Sequence, residues 1–157
     1  MKTIYKIVAL CTLVFLFLGT SSVRANSDIT LVIHYFRYDG DYSNSYMWLW
    51  EDKPISKEGS NHKISSETDD YGSVTRVKLS QINGYNAANP PTSIGIIIKQ
   101  GKGWDEKDVP MNRFIDVTAP DENGEVHAYF VQGEVPIGRS PDDPNGPDRS
   151  HKVLRGY

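Results

Sequence analysis

The 157-residue sequence contains a single cysteine, Cys11. That cysteine falls inside an amino-terminal apolar run, Ile7 to Leu18, which follows Lys2 and Lys6 and precedes Val23-Arg24-Ala25. A short positive start, an apolar stretch and a small-residue end together read as a secretory signal peptide over residues 1–25. The run of about a dozen residues falls short of the roughly twenty that a membrane-crossing helix needs. Cys11 sits within the run rather than just after it, which argues against a lipid anchor. Removing residues 1–25 takes the cysteine with it, so the mature chain is expected to form no disulfide and to be held by its core alone. The expected location is secreted or extracellular, with cell-surface association left open.

Basic residues are also in the minority. The chain has 17 Lys and Arg against 20 Asp and Glu, and cleavage removes Lys2, Lys6 and Arg24 but no acid. A nucleic-acid binder needs the opposite balance to neutralise phosphates, so that class is set aside. Metal chemistry finds little support either. His34, His62, His127 and His151 show no ligand spacing, and Asp69-Asp70 before Tyr71-Gly72 reads as a turn rather than a calcium loop. No metal and no cofactor is expected. His34, inside a strand, reads as a structural, hydrogen-bonded residue.

A sustained 3.6-residue period is missing too, so no long helix is expected. What the sequence does have is short β-favouring runs separated by Gly, Asn, Asp and Pro. Strands are expected at Ile29 to Phe36, Tyr46 to Trp50, His62 to Ser65, Val74 to Leu79, Ile94 to Lys99, Arg113 to Val117 and Glu125 to Val131. About seven strands of this kind make an all-β, immunoglobulin-like antiparallel sandwich over residues 26–134. Residues 135–157, rich in Pro, Gly and charge, have the composition of a linker or tail.

Aromatics are plentiful. In Tyr46-Met47-Trp48-Leu49-Trp50, side chains alternate across the strand, so Tyr46, Trp48 and Trp50 share one face while Met47 and Leu49 share the other. Two readings stay open: a second layer buries the aromatic face, or the face is an exposed platform. A platform would suit sugars, because the C–H faces of a pyranose pack on indole while its hydroxyls bond to polar neighbours. The segment from Gly103 to Ile115 offers Lys107 as a cation and Asn112 as donor and acceptor. The alternative is a merely solvated loop. Trp104 is expected to pack beneath that loop.

Four ordered stretches resemble one family: Val32 to Gly40, Trp48-Leu49-Trp50, Trp104 to Val109, and Arg113 to Asp116. The closing Val131-Gln132-Gly133 fits as well. Together they resemble the pullulanase-associated starch-binding module, carbohydrate-binding module family 41, over about Asp28 to Glu134. The resemblance implies non-catalytic binding of α-glucans such as pullulan, amylopectin, glycogen and malto-oligosaccharides. It implies that Trp48 and Trp50 stack on successive glucose rings, that Tyr46 extends the platform and that Lys107 bonds hydroxyls. The family's aspartate five residues beyond that lysine is Asn112 here, a departure that weakens one hydrogen bond. A pullulanase catalytic domain is the implied partner, yet a catalytic barrel of about 250 residues cannot fit in this chain. An adhesin or protein-interaction module without a sugar ligand is the competing expectation.

Overall fold

The computed structural model describes residues 28–150; the expected signal peptide lies outside the described residues. Seven strands form two sheets. They are β1 (Thr30–Phe36), β2 (Ser45–Lys53), β3 (Ser60–Lys63), β4 (Ser73–Lys78), β5 (Ser93–Gln100), β6 (Arg113–Asp116) and β7 (Glu125–Val131). One sheet runs β4-β1-β7 and the other β3-β2-β5-β6. The only helical element among the described residues is a 3-10 turn at Leu79–Gln81. This is the expected all-β sandwich. One pairing departs from the antiparallel expectation: β1 and β7 run parallel, with Ile33 opposite Ala128.

The strands form where β-branched and aromatic residues alternate toward one shared interior. Leu31, Ile33 and Tyr35 of β1 and Val126, Ala128 and Phe130 of β7 face Met47 and Leu49 of β2 and Ile94, Ile96 and Ile98 of β5. All lie in one buried cluster, the packed layer between two sheets. β5 is buried along nearly its whole length, as its apolar run Ile94 to Ile98 requires. β3 begins two residues earlier than its sequence suggests. Its polar residues carry little strand preference, and pairing with β2 sets its limits, His62 lying opposite Met47.

The same alternation leaves the outer face of the four-stranded sheet to the other set of side chains. Tyr46, Trp48 and Trp50 of β2 lie opposite Lys99, Ile97 and Gly95 of β5, and Gly95 in turn lies opposite Phe114 of β6. Past Val131 the chain stays against the opposite sheet. Gly138 exchanges two backbone hydrogen bonds with Tyr129, both 2.9 Å. Farther on, the Arg149 guanidinium lies 4.4 Å from the Tyr71 ring centroid and donates to the Asp70 carbonyl at 3.1 Å. Among the described residues no helix is long and apolar enough to cross a membrane.

Candidate functional site

The outer face of the β3-β2-β5-β6 sheet concentrates aromatic rings and cations. Its aromatic row is set by β2, but the two tryptophans of that strand sit at different heights. Trp50 lies flat on Gly95: a Cβ at that glycine would fall well inside contact distance of the six-membered ring. The indole is therefore only 8% exposed, and the Phe114 ring stands edge-on to it at 6.0 Å. Trp48 is half-buried, with its indole nitrogen reaching over Gly59. Its ring partner is Trp104, at 5.1 Å between centroids and 65° between planes.

Two of the sequence expectations change here. Trp104 does not pack beneath its loop; it is 48% exposed and stands against Trp48. Trp50 is not an exposed partner of Trp48, because the missing side chain at Gly95 lets its ring sink onto the sheet. The exposed tryptophan pair is Trp48 with Trp104.

The loop after β5 is held to the sheet by its backbone and by one buried carboxylate. Lys99 and Lys107 form an antiparallel bridge, and the Asp108 amide donates to the Ile98 carbonyl at 2.8 Å. The Asp108 carboxylate points inward, where it accepts from the Tyr35 hydroxyl at 3.1 Å, the Gly133 amide at 2.9 Å and Arg113 at 3.4 Å. Burial raises the Tyr35 pKa, with the Asp108 charge adding to the effect, and burial lowers that of Arg113 against the pull of Asp108. A buried charge needs such a full set of partners, and this set ties the loop, β1 and β6 into one unit. The sequence marked Asp108 only as part of a motif; its inward role carried no local signal.

Lys99 was missed altogether, since it closes an apolar strand. Fully buried, it donates from Nζ to the Lys102 carbonyl at 2.8 Å. The ammonium lies 4.0 Å from the Trp104 ring centroid and 5.6 Å from that of Trp48, so it sits against both indoles of the pair. Desolvation by burial holds it below the ordinary lysine pKa. Lys107 is exposed, with Nζ 5.7 Å from the Trp104 ring. Tyr46 is half-buried, and Lys63 and Lys102 approach its ring at 5.0 Å and 5.9 Å. Asn112 is exposed at the end of the same loop, and no hydrogen bond or ring contact given by the structure ties it to the tryptophans.

The opposite sheet carries the histidines. His34 stacks on Tyr129 at 4.1 Å, and its ring nitrogens approach Asp69 at 3.2 Å and His127 at 3.0 Å. This is the structural role expected of His34. Burial lowers its pKa, with Asp69 opposing and His127 reinforcing the shift. Asp69 also accepts from the Tyr71 and Gly72 amides, making the expected turn. His127, isolated in sequence, lies beside Asp121 and Glu125, and one ligand atom from each of the three falls within 4.8 Å of the others. Its Nε2 stands 3.3 Å from Glu125 and 3.7 Å from Asp121.

A profile of the bacterial pullanase-associated domain matches residues 29–137. The chain belongs to that family. The match covers every strand of the sandwich and both tryptophan segments, in agreement with the resemblance drawn from the four motifs. Among solved structures, the chain is similar to the product complex of a multi-modular glycogen-degrading pneumococcal virulence factor, SpuA. The identity is 19% and the TM-score 0.52, covering 71% of this chain and 11% of that one. It is also similar to the structure describing α-glucan binding by a streptococcal virulence factor, at 19% identity and TM-score 0.51, covering 71% of this chain and 47% of the other. The chain thus spans only a small part of the first protein and less than half of the second. At this identity the likeness to the two structures shows a shared fold.

Proposed function

We propose that this domain binds α-glucan chains non-catalytically on the outer face of its four-stranded sheet, with Trp48 and Trp104 as stacking rings. The observation that carries the reading is the Trp48–Trp104 pair, one ring half-buried and the other 48% exposed, held over a buried lysine. Contiguous exposed aromatics of this kind mark binding surfaces, and indole offers both an apolar face and an N–H donor. Lys107 and Asn112 supply hydrogen bonds to hydroxyls, Tyr46 extends the face toward Lys63, and Trp50 serves as its floor. The ligands that fit are pullulan, amylopectin, glycogen and malto-oligosaccharides, the glucan class with which the family and the streptococcal structure are associated. Single-site binding of this kind is weak, and tethering turns it into useful retention. In this reading residues 1–25 direct secretion, and the domain holds a pullulanase-type activity on its polysaccharide, while residues 135–150, expected as a tail, pack against the β4-β1-β7 sheet.

The test is affinity electrophoresis in gels containing pullulan, glycogen or cellulose, with wild type beside Trp48→Ala and Trp104→Ala. Retardation by the two α-glucans alone, lost in either variant, is the expected result. A folded wild type that no α-glucan retards would overturn the reading and favour a protein-interaction role for the same sandwich.

A further inference from the structure

On a platform built by alternation along β2, the second stacking ring would be Trp50. The structure leaves that ring without an open face. It lies down on Gly95 and is only 8% exposed, too little to pack a pyranose. In the same cross-strand row, however, one aromatic is open. Phe114 lies directly opposite Gly95 on β6, is 49% exposed, and meets the Trp50 ring at 6.0 Å with 80° between planes.

We propose that Phe114 is a further stacking ring of this face, beyond the Trp48–Trp104 pair, and that the groove beside it receives the continuing α-glucan chain. This rests on the glucan-binding reading above and extends it to the direction and length of the bound chain. A lone exposed phenylalanine on an edge strand would mean little. Phe114, however, forms one wall of a groove whose other walls include Asp116, Asp121, His127 and Arg139. Asp116 and Arg139 are both exposed, one an acceptor and the other a donor for hydroxyls. An aromatic wall with polar groups around it matches a sugar, which is apolar on its ring faces and polar at its rim. Continuity fixes the occupant. Trp48 and Phe114 lie on one sheet face, two strands and one outward position apart, or about 12 Å at ordinary strand spacings. That distance exceeds one pyranose ring, so only a longer oligosaccharide reaches from one aromatic to the other.

Isothermal titration with maltotriose and maltoheptaose tests this on wild type, Phe114→Ala and Trp104→Ala. Wild type should bind maltoheptaose more tightly than maltotriose. Phe114→Ala should weaken maltoheptaose binding about tenfold while maltotriose, spanning only the Trp48–Trp104 pair, changes less than twofold. Thermal unfolding of Phe114→Ala should stay close to wild type, because half of the ring is already in water. Equal losses for both sugars, or no loss for maltoheptaose, would overturn the role of Phe114 while leaving the glucan reading intact. Failure of wild type to bind either sugar would overturn both.

Discussion

Lys99→Met separates what holds the tryptophan pair in place from what holds the domain together. Methionine keeps the apolar stem and roughly the volume but removes the ammonium. Two interactions disappear: the hydrogen bond to the Lys102 carbonyl at 2.8 Å and the cation–π contact with Trp104 at 4.0 Å. A charged hydrogen bond contributes about 1.5–3 kcal/mol. A desolvated cation–π contact adds about 2 kcal/mol. Against these stands the cost of keeping a fully buried ammonium away from water, which methionine does not incur. Those terms are of similar size, so overall stability should move by no more than about 1 kcal/mol. The loop should move far more, since its Lys102 carbonyl and Trp104 ring lose their shared anchor. Urea unfolding followed by circular dichroism should therefore show a nearly unchanged midpoint. Tryptophan emission should shift to the red, and affinity for maltoheptaose should drop about tenfold. Unchanged emission together with unchanged affinity would refute the idea that Lys99 sets the tryptophan pair.

Gly95→Ala places a methyl group inside the six-membered ring of Trp50, and should cost about 1–3 kcal/mol in urea unfolding through overpacking; a neutral result would mean Trp50 is not seated on that glycine. Asn112→Asp puts a charged acceptor at the end of the loop that carries Trp104 and Lys107, and should tighten maltoheptaose binding by about 1 kcal/mol, read by titration calorimetry. Lowering the pH from 7 to 5 should lower the melting temperature, and His34→Gln should flatten part of that slope. Burial depresses the folded pKa of His34 below 6.5, so its stabilisation is full above that value and is lost as pH falls toward the folded pKa. The groups facing His34 are Asp69, His127, Arg76, Tyr71 and Tyr129, and His62, its pKa lowered by burial, adds a slope with the same sign.

The sandwich was legible because its strands are rich in β-branched and aromatic residues and its breaks carry Gly, Pro, Asn and Asp. Where the local pattern was polar, as in Ser60–Lys63, the strand edge was displaced, because pairing with β2 rather than propensity fixes it. The parallel pairing of β1 with β7 has no local signature at all; it depends on elements nearly a hundred residues apart. For the site, alternation placed Tyr46, Trp48 and Trp50 on one face correctly. It could not say how high each ring stands. Trp104 went unread as an exposed ring for a related reason: its position comes from a loop pinned underneath by Asp108 and Lys99, and neither partner is adjacent to it in sequence.

Side-chain alternation along a strand therefore defines a face but not a platform. Two tryptophans two residues apart on β2 have unequal exposure because their neighbours differ. Opposite Trp50 on β5 stands Gly95, which lets an indole lie on the backbone; opposite Trp48 stands Ile97, whose side chain fills that space. The sunken indole then becomes a support, and Phe114, across the same glycine, becomes the open ring of that row. A single glycine on a central strand thus decides which of two aromatics, Trp50 or Phe114, stands open to solvent. Exchanging it for alanine should do more than destabilise the sheet: by lifting Trp50 toward solvent, it should hand the stacking position beside residue 95 from Phe114 to Trp50. In a Gly95→Ala background, Phe114→Ala should then weaken maltoheptaose binding less than it does in the wild-type background, and equal losses in the two backgrounds would show that Gly95 does not choose between them.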